Sequence, residues 1–342
     1  MARSVIFGCD GTELSEAERH FFREVDPYGF ILFARNIEEP EQVIRLVESL
    51  RESVGRHAAV LIDQEGGRVQ RLRPPHWRSY KPGAYFGQLY QEHRSKAREA
   101  LALSTFLMGA ELAALGIDVS CVPLLDVGHE NTHQVIGDRA FGSDPEMVGE
   151  LGQLQLRALA RSGVTGVIKH LPGHGRSLVD SHHALPTVEA DLESLRQVDF
   201  PPFQRLAGEA VYGMTGHLLF EALDQKLPST LSPAIVGGVI REEIGFDGLL
   251  MSDDLSMKAL GGDYESRTRD SLAAGCDLVL HCNGDMGEMQ AVATEAIALW
   301  GKSKERADLA DAKRLANRQG GFLPSEIDLR EFEKLFGAGP TV

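Results

Sequence analysis

One short segment gathers most of the side chains able to do acid, base or hydrogen-bonding chemistry. It reads Lys169-His170-Leu171-Pro172-Gly173-His174-Gly175, then Arg176-Ser177-Leu178-Val179, then Asp180-Ser181-His182-His183. A lysine and a histidine at the end of an apolar run, followed by Pro-Gly and a second glycine, predict a strand that ends in a sharp turn and a movable loop. In that loop Asp180 and His182 alternate, the spacing at which a carboxylate reaches an imidazole nitrogen on a short extended piece. An imidazole with an ordinary pKa of about 6.5 can be a general acid and then a general base at neutral pH. A carboxylate beside it fixes its tautomer and raises its basicity. The same spacing suits residues that cap turns, and the loop by itself leaves both readings open. Metal binding by His170, His174, His182 and His183 is disfavoured, because no His-Glu-x-x-His or His-x-His pair sits on one element and Lys169 would repel a cation. No metal and no cofactor are expected.

Two further segments end in acids. Gly248-Leu249-Leu250-Met251-Ser252-Asp253-Asp254-Leu255-Ser256-Met257 reads as a buried strand that stops at a pair of aspartates. Side chains alternate along a strand, so one acid is expected at the open end and the other turned away. Asp254 is assigned to the N-cap of the next helix, which leaves Asp253 as the candidate nucleophile. Val60-Leu61-Ile62-Asp63-Gln64-Glu65-Gly66-Gly67-Arg68-Val69-Gln70-Arg71 places an acid at a strand end, a glycine pair at the turn and Arg71 eight residues beyond Asp63. A carboxylate gripping two hydroxyls, helped by a guanidinium, suits a polyol; an Asp-Arg pair that only braces the loop is the plainer alternative. Arg139, in Ile136-Gly137-Asp138-Arg139-Ala140-Phe141, adds a further cation that Asp138 is placed to pair with locally.

The elements that must position these groups are short apolar runs alternating with helix-period stretches. Eight runs read as strands: Val5–Cys9, Gly29–Phe33, Ala58–Gln64, Asp118–Val127, Val164–Leu171, Val211–His217, Gly248–Asp254 and Cys276–Asn283. Between them, Glu41–Val54 and Ala97–Leu115 carry apolar residues on one helical face, Met147, Leu151, Leu154 and Ala158 repeat the pattern, and Ser232-Pro233 opens a helix through Ile235, Val236, Val239 and Ile240. Strands that are continuously apolar are buried on both faces, as in a parallel sheet covered by helices. Eight such units fit an α/β fold of the (β/α)8 TIM-barrel type, with a doubly wound open sheet as the rival. Asp63, Asp126, Lys169-His170, His217 and Asp253 decide for the barrel, since each falls at the C-terminal end of a different strand.

The whole chain, 1–342, is expected to be a single catalytic barrel domain, its core about residues 5–300 and its C-terminal helices and tail 301–342. Pro74–His93 is expected as a loop insertion after the third strand, with two further helices beyond Asn283 and a frayed end over Phe336–Val342.

Composition narrows the function classes. Lys+Arg 35 against Asp+Glu 50 gives a net charge of −15, which argues against nucleic acid and against docking on an anionic membrane. No apolar stretch approaches the roughly 18–20 residues of a membrane span, and the N-terminus lacks a signal-peptide h-region, so a cytoplasmic location is expected. Cys9, Cys121, Cys276 and Cys282 lie in or beside apolar runs without a Cys-x-x-Cys spacing and are read as reduced core residues.

Taken together, K-H-x-P-G-H-G followed after four residues by D-S-H, D-Q-E-G-G-R-V-Q-R, and S-D-D-L-S-M resemble the bacterial β-N-acetylhexosaminidases of glycoside hydrolase family 3, in matching order over roughly residues 5 to 283. The resemblance implies a single-domain barrel that releases terminal N-acetylglucosamine from peptidoglycan fragments, with retention, through a covalent glycosyl-enzyme. It implies Asp253 as nucleophile, His182 as acid/base and Asp180 as its dyad partner. Asp63, Arg71, Arg139, Lys169 and His170 match the positions that hold the sugar. Leu171 stands where the family usually has phenylalanine, and His183 beside His182 leaves the acid/base assignment open by one residue. Larger members take an acid from a second domain, which a chain of 342 residues is too short to carry, so the histidine must serve. The expected partner is a saccharide, a muropeptide carrying N-acetylglucosamine, and the expected state a monomer. A phosphate-dependent phosphorylase is the alternative within enzymes, since a neutral imidazole repels phosphate less than a carboxylate does; a non-catalytic sugar-binding barrel is the alternative outside them.

Overall fold

The computed structural model describes residues 1–129, 132–177 and 185–337. Eight parallel strands close into a barrel: β1 (Arg3–Phe7), β2 (Pro27–Leu32), β3 (Ala59–Ile62), β4 (Val119–Ser120), β5 (Thr165–Leu171), β6 (Tyr212–Thr215), β7 (Leu249–Asp254) and β8 (Leu278–His281). Each strand pairs with its neighbours in sequence, and β1 closes on β8 with Val5 opposite Val279 and Phe7 opposite His281. The (β/α)8 barrel expected from the sequence is the fold; six of the eight runs contain their strand, and Val5–Cys9 and Gly29–Phe33 overlap strands that begin two residues earlier, at Arg3 and Pro27.

The continuous apolar reading of the strands has a direct cause. Side chains at alternate positions divide between two interiors. Ile6, Tyr28, Ile31, Leu61, Val119, Val167, Tyr212, Met214, Leu249, Met251, Leu278 and Leu280 pack together inside the barrel. Val5, Phe7, Phe30, Leu32, Val60 and Ile62 pack outward against the helices. Both faces are buried, and each fully buried Leu, Ile or Val contributes about 1.5–3 kcal/mol relative to exposure.

Several expectations change in detail. Within Asp118–Val127 only Val119–Ser120 joins the sheet as a strand, with an isolated bridge from Leu124 to Lys169 beyond it. The Pro74–His93 insertion contains a helix, Gly83–Glu92, that packs against Arg94–Ala114. Among the described residues three helices rather than two follow Asn283: Met286–Glu295, Gly301–Gly320 and Glu326–Phe336. The last ends in Phe336, whose ring packs tilted against Phe332 at 4.8 Å between centroids; of the segment expected to fray, residues 338–342 lie outside the described part. Ser232 does open the next helical segment, its Oγ accepting the N–H of Ile235 at 3.2 Å, but Ala234–Glu243 winds with i→i+5 hydrogen bonding. All four cysteines are free and buried.

Helix Gly301–Gly320 closes the foot of the barrel. Its Arg314, 1% exposed, meets Asp118 ahead of β4 and Asp311 on its own helix at 2.9 Å. Arg51 adds a second guanidinium to Asp118 at 3.1 Å, and the Tyr28 hydroxyl bridges Tyr212 at 2.8 Å and Asp311 at 3.1 Å. No helix among the described residues is long and apolar enough to cross a membrane.

Candidate active site

A cavity of about 350 Å³ opens at the C-terminal ends of the strands, lined by Asp63, Arg71, Arg139, Lys169, His170 and Asp253 among others. All six of these expected site residues are therefore brought together, Lys169 and His170 from one strand and the others from different segments. Asp180, His182 and His183 lie outside the described residues.

The spacing of Asp63 and Arg71 is explained by a tight antiparallel hairpin. Gln64–Gly66 runs out from the end of β3 and Val69–Gln70 runs back. Gly66 and Gly67 turn the chain at φ +97° and +58°, and a Cβ on Gly66 would stand 2.4 Å from the Lys81 carbonyl oxygen. The Gln64 side-chain oxygen accepts the N–H groups of Arg71 and Leu72 at 2.8 and 3.1 Å, locking the return. Arg71 Nη2 then donates to Asp63 Oδ2 at 3.1 Å.

Lys169, on β5 and 2% exposed, links this hairpin to the far wall. Its Nζ lies 2.9 Å from Asp63 Oδ1 and 2.7 Å from Glu65 Oε1. Glu65 in turn takes a bidentate fork from Arg139, Nε and Nη2 both at 2.8 Å. The sequence reading missed Glu65. The signal was present, because Glu65 stands two residues from Asp63 in extended chain and so shares its face. Asp138 does not pair with Arg139; it is 2.9 Å from Arg68 instead, which frees Arg139 to reach inward. Burial alone would raise the carboxyl pKa values, but Lys169 and Arg71 hold Asp63 far below the usual range, and Arg139 and Lys169 bring Glu65 down to about 2. Burial would lower the Lys169 pKa, yet Asp63 and Glu65 hold it well above its ordinary value. The cluster is thus permanently ionised near neutrality.

His170 is oriented from behind. Its Nδ1 sits 2.7 Å from Asp126 Oδ2, while Asp126 Oδ1 accepts the backbone N–H groups of His170 and His174 at 3.1 and 2.7 Å. Asp126, fully buried, is held down to about 2 despite its burial, chiefly by His170, so it accepts from Nδ1–H and leaves Nε2 for the cavity. Asp126, counted in the sequence among the reactive strand-end groups, is therefore an orienting residue. His217 is likewise turned away from the cavity, with Nδ1 2.8 Å from Thr230 Oγ1 and Nε2 3.1 Å from the Asp254 carbonyl. His174 stacks edge-on to His170 at 5.4 Å, and burial lowers its pKa to about 4, so it is neutral at pH 7.

Asp253, next to last on β7, lies at the cavity, its Oδ1 accepting the N–H of Asp254 at 2.8 Å. Burial pushes its pKa up, but its interactions with His170 and His217, that N–H and Lys169 together hold it below the usual range. The expectation that Asp254 faces away is corrected: both acids line the cavity, because the β7–β8 register shifts between Met251 and Asp254 and breaks the alternation. Nor does Asp254 cap a helix. It closes a local turn on Ser256 and accepts the N–H of Cys282 at 3.2 Å, while Asp263 caps helix Tyr264–Ala274. No group of three or more His, Cys, Asp or Glu among the described residues is arranged to hold a metal ion.

Comparison with known proteins decides what this cavity belongs to. The sequence profile of the glycosyl hydrolase family 3 N-terminal domain matches residues 11–314. The chain belongs to glycosyl hydrolase family 3. A protein from Methylobacillus flagellatus named β-hexosaminidase is 37% identical over 320 residues, covering 93% of this chain and 88% of its own length. NagZ of Neisseria gonorrhoeae, solved with N-trifluoroacetyl-D-glucosamine, superposes with a TM-score of 0.77 at 30% identity over 97% of this chain and 89% of that one. A family 3 β-N-acetylglucosaminidase from Paenibacillus superposes with a TM-score of 0.86 at 30% identity over 97% of this chain, which spans 66% of its length. This family 3 chain is an enzyme, a glycoside hydrolase that acts on a saccharide as a β-N-acetylhexosaminidase.

Proposed function

We propose that this β-hexosaminidase is an exo-acting β-N-acetylglucosaminidase that works with retention through a covalent intermediate on Asp253. The observation that carries the reading is Asp253 itself, a carboxylate at the cavity wall whose negative charge is favoured by its surroundings although it is buried. An ionised carboxylate is the form that attacks an anomeric carbon, and a site that stabilises the charge before substrate arrives has the nucleophile ready. Asp63, Arg71 and Lys169 present paired charges suited to the hydroxyls of one terminal sugar, and His170 offers Nε2 to another. Arg139 contributes by fixing Glu65 and through it Lys169.

The proton for the leaving oxygen is assigned to His182, with Asp180 as its partner. Retaining glycosidases usually set two carboxylates ~5–5.5 Å apart; here an imidazole takes the second place, so the leaving group is protonated by a cation that becomes neutral. The substrates we assign are N-acetylglucosamine-terminated muropeptide fragments of peptidoglycan, handled in the cytoplasm by a monomeric enzyme of one catalytic domain. The test is the first-formed product from an aryl N-acetyl-β-glucosaminide, followed by NMR. Release of the β anomer, abolished in Asp253→Ala, is expected. Initial release of the α anomer, or near-full activity of Asp253→Ala, would overturn the assignment. Running the same assay on a muropeptide in water and with added phosphate tests hydrolysis against phosphorolysis.

A further inference from the structure

A second cavity, of about 410 Å³, lies at the opposite end of the barrel. It is bounded by Ser4 at the start of β1, by Leu272 and Cys276 at the end of helix Tyr264–Ala274, and by the segment leading into helix Gly301–Gly320. That segment is fixed by antiparallel pairing with the N-terminus: the Ser4 N–H donates to the Ile297 carbonyl at 2.8 Å and the Leu299 N–H to the Ala2 carbonyl at 3.0 Å.

Three independent features converge there. The 20-residue helix begins after Trp300 with no side-chain cap, so the N–H groups of Gly301, Lys302 and Ser303 have no acceptor from an earlier turn, and these residues line the cavity. Ser4, 2% exposed, lines it too, and its Oγ is buried without a hydrogen-bond partner among the described residues. Trp300 stands over the same space and is 72% exposed.

The chemistry of the lining selects the ligand. Its one acid, Asp277, is already filled: Oδ1 accepts from Ser303 Oγ at 2.6 Å and Arg306 at 3.1 Å, Oδ2 from Arg241 at 2.7 Å and the Leu250 N–H at 2.9 Å. What remains is donors. Arg241, Arg306 and Lys302 are balanced by Asp277, Asp247 and Glu305, so the positive end of the helix sets the local sign. We propose that this cavity binds a small organic oxyanion, a carboxylate or phosphate ester on a ring-shaped body. The oxygens meet the first-turn amides and the Ser4 hydroxyl, and the ring lies against the Trp300 indole.

The chain has two tryptophans, and the other, Trp77, is 5% exposed and outside this cavity. Emission can therefore be assigned. Benzoate and phenyl phosphate are titrated into the full chain, the tighter of the two naming the oxyanion. Saturable quenching is expected, absent in Trp300→Phe and about five- to tenfold weaker in Ser4→Ala. Trp300→Phe should keep the parent rate on an aryl N-acetyl-β-glucosaminide, which shows that it is folded. Quenching by benzyl alcohol at the same affinity would overturn the proposal, as would a signal that survives in Trp300→Phe, or no response to either anion.

Discussion

The two ends of the barrel carry buried charge clusters built from the same parts. At the foot, Arg51 and Arg314 converge on Asp118, with Asp311, Tyr28 and Tyr212 completing the network. At the mouth, Arg71, Arg139 and Lys169 converge on Asp63 and Glu65. The foot cluster takes Arg314 and Asp311 from helix Gly301–Gly320, whereas the mouth cluster borders an open cavity and keeps a buried donor, Arg71 Nε, without a partner among the described residues. A buried charge network is therefore not in itself a site. The capacity it leaves unused, and the space that capacity faces, make it one. Removing one partner of either cluster leaves an uncompensated buried charge, so stability should respond at both ends, and turnover only at the mouth.

The largest effect is expected at Asp253, the proposed nucleophile. Asp253→Ala should lower kcat on an aryl N-acetyl-β-glucosaminide by on the order of a thousandfold or more, measured as initial rate, with the fold retained by circular dichroism. Next comes Lys169→Met, which strips a shared cation from Asp63 and Glu65. It should cost about 3–5 kcal/mol in denaturant unfolding and lower kcat/KM on the order of a hundredfold. Arg314→Met is the counterpart at the foot. Because Arg51 still faces Asp118, the loss should lie near the lower end of about 3–5 kcal/mol, and kcat/KM measured at a temperature where the variant is folded should stay within about twofold of the parent. A comparable fall in turnover for Arg314→Met would dissolve the contrast between the two ends.

The barrel was legible in the sequence because burial on both strand faces leaves continuous apolar runs, and because the polar groups that interrupt them fall at one strand end. The site was legible where chemistry sits on strands or on a tight hairpin: Asp63, Arg71, Lys169, His170 and Asp253 all reach the cavity. It was less legible where geometry departs from a simple period. The register shift in β7 brings Asp254 inward beside Asp253, which alternation forbids. Glu65 was hidden by the glycine pair after it, which reads as a turn and draws attention from the acid ahead. The pairing of Asp138 with Arg68 rather than its neighbour depends on contacts some seventy residues apart, and nothing local encodes them.

The carboxylates at the mouth also set a pH limit. Glu65 and Asp126 are held to about 2 in the folded chain, and Asp63 lower still. Unfolded carboxyls titrate at about 4. A folded-state pKa below the unfolded one contributes stability that is complete above about pH 4 and is lost as the pH falls toward about 2 and below. Urea unfolding between pH 5 and 2.5 should therefore show stability declining steadily. In Lys169→Met the slope should be shallower, since Asp63 and Glu65 lose the charge that depresses them. An unchanged slope would mean that Lys169 is not what holds these acids ionised.

The smallest expected effect tests the comparison from the other side. Arg68 also lines the mouth cavity, but its pair with Asp138 is about half exposed on both sides, at 45% and 46%. Solvent screens such a pair, and exposed ion pairs are worth about 0–1 kcal/mol. Arg68 is moreover held by the backbone carbonyls of Gln134, Val135 and Ile136, which remain when Asp138 changes. Asp138→Asn should thus alter unfolding free energy by less than about 1 kcal/mol and KM by less than about twofold, the urea midpoint and the KM being the measurements. Two cations on one cavity wall, Lys169 paired with Glu65 and Arg68 paired with Asp138, then differ in consequence because one pair is desolvated and the other is not. A loss in Asp138→Asn as large as that in Lys169→Met would show that position on the wall, rather than burial, decides what a charge contributes.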